Sequence, residues 1–255
     1  MTDTVDFTVE DGIAVITIDR PEVRNAIDLQ TAQQLAHALD KVDERSDVRA
    51  AVLTGTGKIF SAGMDLKAFN ATGERPIVAG RGAFGICESA TAKPLIAAVE
   101  GKALGGGFEI ALACDLVVAA EDAQFGLPEV KRGLVAAAGG VLRLPRAIPQ
   151  KIALELVMTG GSISAAQAQR LGVVNRVVAP GEACAEAVRL ATAIAANAPL
   201  AVRTAKFLVK ASVDWQQDEL FDRQRPYTDT VRQSADAAEG ARAFVEKRDP
   251  AWTDR

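Results

Sequence analysis

The stretch that most constrains this chain runs from Lys102 to Glu129, KALGGGFEIALACDLVVAAEDAQFGLPE. Three consecutive glycines, Gly105 to Gly107, precede one carboxylate, Glu109; a second, Glu129, follows after Pro128. Between them Leu116 to Ala120 is short, apolar and β-branched at its centre, which predicts a buried strand. Phe108 to Cys114 carries helix formers and an apolar face, which predicts a helix opened by the glycines. Without side chains, the glycines let a ligand come close to the backbone. The N–H groups that open a helix have no intrahelical partner, and with the helix dipole behind them they suit a developing negative charge. Glu109 then falls in the first turn beside that point, and Glu129 on the loop after the strand, at the same end. Read alone, the pattern also fits a tight turn with two solvated glutamates.

A second stretch favours the site. Lys58 to Phe69, KIFSAGMDLKAF, follows a strand-like run from Ala50 to Leu53 and the glycines Gly55 and Gly57. Asp65 opens a short helix-like segment. The chain thus twice goes from strand to glycine-containing turn to helix start. Two such starts facing one point supply two backbone N–H groups to one oxygen.

Bulk properties exclude several classes. The chain has 255 residues, 49% of them hydrophobic, which is enough for one sizeable core. A net charge of −4 gives no global attraction to nucleic acid or an anionic membrane. Cys87, Cys114 and Cys184 are odd in number and form no CxxC, so they read as buried residues or free thiols of a reducing compartment. With these scattered cysteines and one histidine, His37, within a helical pattern, neither a zinc site nor a Ser-His-Asp triad is expected. The start, MTDTVDFTVED, lacks the features of a secretory or transit signal. No uncharged apolar stretch approaches the ~18 residues of a membrane helix. These features predict a cytoplasmic protein.

Along the chain, Ile13 to Ile18 reads as a buried strand. Asp28 caps a helix on which Leu29, Ala32, Leu35, Ala36, Leu39 and Val42 recur at helical spacing. Further strands are predicted at Val48 to Thr54, Leu95 to Val99, Leu116 to Ala120 and Val173 to Val178. Asn70 to Cys87 is glycine-rich and reads as a mobile or variable loop leading into a helix. Gly139-Gly140 permits close backbone packing. Helices are predicted at Lys151 to Thr159, at Ala165 to Arg170 behind a Ser164 cap, and at Glu182 to Ala196. From Asn197 the composition becomes charged and helical, over Pro199 to Ala211, Trp215 to Arg223 and Ser234 to Arg248. That tail has no strand and needs a surface to pack on.

FSAGMDLKAF, ALGGGFEIALACDLVVA and AQFGLPE, in this order, resemble the paired signatures of the crotonase, or enoyl-CoA hydratase/isomerase, superfamily. The resemblance runs from IAVITIDRPEVRNAID to AFVEKRDPAW; GLPEVKRGL, GGVLRLPR and EKRDPAW look closest to its carnitinyl-CoA dehydratase branch. It implies an α/β, crotonase-like spiral of ββα units over residues 1–196, bearing the site. It also implies a C-terminal helical region, 197–255, that builds a homotrimer or a dimer of trimers.

The implied reaction is reversible addition of water to a 2-trans-enoyl-CoA. The implied oxyanion donors are the main chains of Met64, where alanine is commoner, and Gly106. By resemblance Glu109 orients the water and Glu129 acts at C2. Coenzyme A, which enters as part of the acyl-CoA thioester substrate, is expected to touch Arg24, Ala26, Ala62, Met64, Asp65, Leu66, Lys67, Gly105, Gly106 and Lys247. Arg20 also flanks the RPEVRNAID turn that the family's CoA passes, and Tyr227 lies only near the adenine-side contact. Cofactors, metal, nucleic acid and membrane are not expected.

Gly133-Leu134-Val135-Ala136 lacks the proline that many hydratases carry after the second glutamate, which bears on substrate identity. The alternatives are a carnitinyl-CoA dehydratase, a Δ3–Δ2 isomerase and a non-catalytic CoA- or RNA-binding relative. For the first, Phe84 and Glu88 are candidates for the wall facing a trimethylammonium group. The presence of Glu109 argues against the isomerase, and the acidic charge against RNA.

Overall fold

The computed structural model describes residues 3–255, so Met1 and Thr2 of the acidic start lie outside the described residues. Strand β1 (Val5–Glu10) pairs antiparallel with β2 (Ile13–Ile18), Glu10 facing Ile13. Asp11 and Gly12 turn the chain, both at positive φ, 48° and 79°, the conformation a two-residue hairpin loop requires. Helix α1 (Leu29–Glu44) follows, capped by the Asp28 carboxylate, which accepts from the Thr31 N–H at 2.8 Å. Ala32, Leu35, Ala36, Leu39 and Val42 are its buried stripe, as their spacing predicts. Then come β3 (Ala50–Gly55), α2 (Leu66–Thr72), a short hairpin of β4 (Ile77–Val78) and β5 (Gly82–Ala83), and β6 (Leu95–Val99). The predicted helix after Asn70 to Cys87 is a correction: among the described residues no helix lies between Thr72 and Gly106. Gly80, Gly82, Phe84 and Gly85 all take positive φ there, which breaks helical continuity.

The spiral then becomes regular. Strand β6 passes into β7 (Lys102–Leu104) and helix α3 (Gly106–Ala113). Strand β8 (Leu116–Ala120) passes into β9 (Gln124–Gly126) and a 3-10 turn, Pro128–Arg132. Helices α4 (Gly140–Ala147) and α5 (Gln150–Thr159) precede β10 (Ser162–Ser164) and α6 (Ala165–Leu171). Ser164 and Gln167 form a capping box, and Gly172 ends α6 at φ +89°. Strand β11 (Arg176–Val178), shorter than the predicted Val173 to Val178, precedes α7 (Ala183–Ala195).

The large sheet has the order β1-β2-β3-β6-β8-β11 and is parallel from β2 onward. A smaller sheet, β10-β9-β7, lies one step along each turn of the spiral. Single bridges extend the line, Ser61 to Ala103 and Ile27 to Met64. Each coil therefore delivers a loop to the same end of the small sheet.

Both faces of the large sheet are covered at its centre, so β6 and β8 are apolar throughout, while the edge strand β1 alternates. One face packs Ile16, Leu53, Leu95, Ala97 and Val117 into the main core with α1 and α3. The other packs Val52, Ile96, Ala98 and Val118 against Ala183, Ala187 and Ala191 of α7. Alanine at every fourth position lets that helix lie close on the sheet.

The tail forms α8 (Pro199–Ala211), α9 (Leu220–Arg232) and α10 (Ala235–Glu246). Helix α9 corrects the predicted Trp215 to Arg223: the chain continues through Pro226, which sits inside the helix and removes one N–H. Neither α8 nor α9 buries a residue. Lys206 ties α8 to the core through Asp115 at 2.6 Å and the carbonyls of Thr91 and Lys93. The last residues fold back, Trp252 Nε1–H donating to the Ala196 carbonyl and Arg203 pairing with Asp254. Tyr227 packs its ring on Phe207, 4.6 Å between centroids. Among the described residues no helix is long and apolar enough to cross a membrane.

Candidate active site

Each glycine of the triplet is required by a different neighbour. A Cβ on Gly105 would lie 3.1 Å from Glu129 Oε1, so that carboxylate sits directly over the Gly105 main chain. A Cβ on Gly106 would overlap the Phe84 ring, and one on Gly107 would overlap the Ser61 carbonyl. Gly105 holds φ +56° as the N-cap of α3, and its N–H donates to the Gly126 carbonyl at 2.9 Å. Gly106 thus opens α3 with its N–H free of the helix.

The Ser61–Asp65 loop is laid against this helix start. Gly63, at φ +83°, would place a Cβ 2.6 Å from the Gly106 nitrogen. Ser61 Oγ–H donates to the Asn25 carbonyl at 2.8 Å, and the Gly63 N–H donates to Ser61 Oγ at 3.1 Å. The Ile27 N–H donates to the Gly63 carbonyl and the Asp65 N–H to the Ile27 carbonyl. That pairing uses the residues on both sides of Met64. Among the described residues, the Met64 and Gly106 N–H groups have no hydrogen-bond partner.

The two carboxylates meet the same corner. Glu109 is 3% exposed, and its Oε1 accepts from the Gly140 N–H at 2.9 Å. Gly140 makes this possible, because a Cβ there would come 3.1 Å from Glu109 Cγ and 3.0 Å from Leu127 Cδ1. Burial pushes the Glu109 carboxyl up to about 7; the Gly140 N–H opposes the rise and the Glu129 charge adds to it. Glu129 stands on the 3-10 turn behind Pro128, and burial raises its carboxyl too, against its own main-chain N–H and Arg132. Its Oε2 is buried with no hydrogen-bond partner. A buried oxygen left unpaired costs stability, and such a cost is kept where a group is used on a ligand.

The fold brings Met64, Gly105, Gly106, Glu109 and Glu129 to one place. Arg24 and Ala26 lie on the adjoining turn, joined by the Ala62 N–H donating to the Arg24 carbonyl at 3.1 Å. Asn25 staples that turn, its amide donating to the carbonyls of Thr56 and Ile59 at 2.9 and 2.6 Å. Sequence reasoning missed Asn25, whose burial and positive φ are properties of the folded turn. Asp65 caps α2 by accepting from the Lys67 and Ala68 N–H groups, and it pairs with Arg20 at 3.1 Å. Arg20 also pairs with Asp28 at 3.0 Å, so its guanidinium holds the turn and is not free for a phosphate. Leu66 and Lys67 are exposed at the start of α2. Lys247 ends α10 in the left-handed region, exposed, with no ion pair among the described residues.

Phe84 is buried beside the site, on Gly106. Glu88 is exposed and packs on Gly82, so the two do not form one wall. The Gly133–Ala136 segment is pinned to the second glutamate, the Leu134 N–H donating to the Glu129 carbonyl at 3.1 Å. Among the described residues no three His, Cys, Asp or Glu side chains gather as they would around a metal ion. Two open N–H groups beside one buried and one half-buried carboxyl suit a reaction that builds charge on an oxygen and moves protons next to it.

Comparison with known proteins gives the same reading. Residues 8–255 match the enoyl-CoA hydratase/isomerase family. A carnitinyl-CoA dehydratase of Salmonella heidelberg is 44% identical, with all of both chains covered. An enoyl-CoA hydratase of Mycobacterium tuberculosis H37Rv superimposes with a TM-score of 0.96 at 50% identity over 99% of each chain. A carnitinyl-CoA hydratase of Mycobacterium avium does so at 0.81 and 42% over the full length of both. The chain therefore belongs to the enoyl-CoA hydratase/isomerase family, in the enoyl-CoA hydratase and carnitinyl-CoA dehydratase branch of the crotonase fold, and is an enzyme of the hydro-lyase type.

Proposed function

We propose that the enzyme adds water reversibly to a 2-trans-enoyl-CoA, giving the 3-hydroxyacyl-CoA. The observation that carries this is the pair of raised carboxyls, Glu109 buried and Glu129 half-buried, beside the unpartnered Met64 and Gly106 N–H groups. In the hydration direction the thioester oxygen accepts from those two N–H groups. Glu109, as carboxylate, takes a proton from the water that attacks C3. The electron pair of the C2–C3 bond moves to C2 and the thioester, as an enolate. Glu129, protonated, delivers its proton to C2, and the two carboxyls then exchange one proton to reset. Each backbone donor contributes ~3 kcal/mol to lowering the barrier.

Coenzyme A would run from the oxyanion pair over Ala62, Asp65, Leu66 and Lys67 toward Arg24 and Ala26, with Lys247 as a point charge for phosphate from a neighbouring subunit. A shallow depression lined by Arg24, Lys58, Pro21 and Thr56 supports this path with two cations. The reaction needs no metal or redox cofactor. The exposed apolar residues of α8 to α10 support a homotrimer or a dimer of trimers, and the three free cysteines support the cytoplasm.

A second reading, dehydration of carnitinyl-CoA, is favoured by the names of the relatives at 44% and 42% identity. The test is a panel of crotonyl-CoA, a longer-chain enoyl-CoA and crotonobetainyl-CoA. Turnover of the first two, with little on the third, supports the main reading; preference for the betaine overturns it in favour of the second. No hydration of any of them overturns both.

A further inference from the structure

Arg143, on the first turn of α4, is absorbed by none of the roles above. Its own N–H donates to the Gly139 carbonyl at 2.8 Å, and its side chain folds back over the same residue. A Cβ on Gly139, which holds φ +107°, would overlap Nη1 of Arg143. Nη1 donates to the Ala138 carbonyl at 3.4 Å, and Nη2 donates to the Cys87 carbonyl. Among the described residues the guanidinium forms no ion pair, and its hydrogen bonds go to the carbonyls of two loops.

Those loops are the two walls of the site. Cys87 lies three residues beyond Phe84, whose ring covers Gly106 of the oxyanion pair. Ala138 and Gly139 lead into Gly140, whose N–H holds Glu109 at 2.9 Å. We propose that Arg143 is a positioning residue, which by bridging the Cys87 and Ala138 carbonyls fixes the Gly139–Gly140 corner and so aims the Glu109 carboxylate at the attacking water. The inference rests on the proton-transfer role of Glu109 given above. Two carbonyls on separate loops suit a planar fork, and a lysine ammonium does not reproduce that geometry.

Arg143 also acts on Glu109 through charge. The groups facing Glu109 are Glu129 on the 3-10 turn, Arg143 on α4 and Cys87 after the hairpin, whose thiol burial pushes up to about 12 and leaves neutral. Arg143 is the cation among them and holds the Glu109 carboxyl down. Hydration needs Glu109 ionised, so its rate falls as pH drops through the Glu109 pKa. Removing the cation must move that acid limb to higher pH.

The experiment compares wild type, Arg143→Lys, Arg143→Met and Glu109→Gln in crotonyl-CoA hydration from pH 5.5 to 9, with melting curves. Arg143→Met is expected to lose about 30- to 100-fold in kcat with KM within about 3-fold, and its acid limb should move upward. Arg143→Lys should return the limb toward wild type but recover kcat only in part. Should Arg143→Met fold poorly, Arg143→Lys decides: a full wild-type kcat there rejects the fork. Wild-type kcat and limb in Arg143→Met, with Glu109→Gln inactive, overturns the proposal and leaves the Glu109 reading standing. Glu109→Gln with wild-type kcat overturns that reading and the proposal with it.

Discussion

Gly63 and Gly106 are in backbone contact: a Cβ on Gly63 would stand 2.6 Å from the Gly106 nitrogen and 3.0 Å from its Cα. This contact sets the spacing of the Met64 and Gly106 N–H groups. Gly63→Ala adds a methyl at φ +83° against rigid main chain, so the loops must part. We expect kcat for crotonyl-CoA to fall by about 100-fold or more, the loss typical of one oxyanion donor. Met64→Ala keeps its N–H, and the rate should change by less than about 10-fold while acyl preference shifts. Equal losses in both variants would show that the side chain, not the main chain, serves the reaction.

Glu109→Gln and Glu129→Gln should each lower hydration by about 100-fold or more, because each removes one proton-transfer partner. Binding of a saturated acyl-CoA should be largely kept, since neither carboxyl is placed along the CoA path. Near-normal kcat in either variant would remove that residue from the mechanism. Loss of acyl-CoA binding measured by calorimetry would move it from chemistry to binding.

Much of this site was legible in the sequence, for reasons that differ from residue to residue. The triplet Gly105 to Gly107 marked close approach, and three different neighbours do crowd it. Helix phase placed Glu109 in the first turn, four residues beyond the N-cap Gly105, and the family resemblance gave it a role. Asp28 and Ser164 announced their helices because capping is a local property. The stretch from Gly73 to Pro94 was misread, because a two-residue β-pair carries almost no periodic signal, whereas the strand expected at Leu95 to Val99 is there as β6. The expected Trp215 to Arg223 overlaps only the start of α9, which runs from Leu220 through Pro226 to Arg232. Arg143 and Asn25 were invisible as site residues because their partners lie far off in sequence, Cys87 for one and Ile59 for the other.

The buried Glu109 predicts a pH-dependent cost in stability. Its native carboxyl titrates at about 7, above the ordinary 4.5. Between those values the native state holds a proton that the unfolded chain has released, so stability falls as pH rises through the window. The full cost above pH 7 is at most roughly 3 to 4 kcal/mol, because a proton held across one pH unit is worth about 1.4 kcal/mol. Glu109→Gln keeps an acceptor for the Gly140 N–H and carries no charge. It should therefore melt several degrees above wild type at pH 8 and close to wild type at pH 5, the gap following the same window. Equal midpoints at both pH values would mean that the Glu109 charge is solvated and its burial costs nothing.

The tail gives the last prediction. On α10, Phe244 and Val245 are 85% and 79% exposed, and on α9 Phe221 is 71% exposed. Large apolar side chains gathered on helices that bury so little of themselves mark a surface meant to be covered. Within one chain they contribute little, so charging them should leave the subunit folded. We expect Phe244→Glu with Val245→Glu to keep the far-ultraviolet circular dichroism of the wild type and to lower the mass seen by light scattering to that of one chain, about 27 kDa. Phe221→Glu should weaken the same assembly. If the double variant keeps the wild-type mass at micromolar concentration, these residues are not at a subunit interface and the oligomerisation role of α10 is wrong. If the wild type itself is a single chain, the exposed face must serve some other partner.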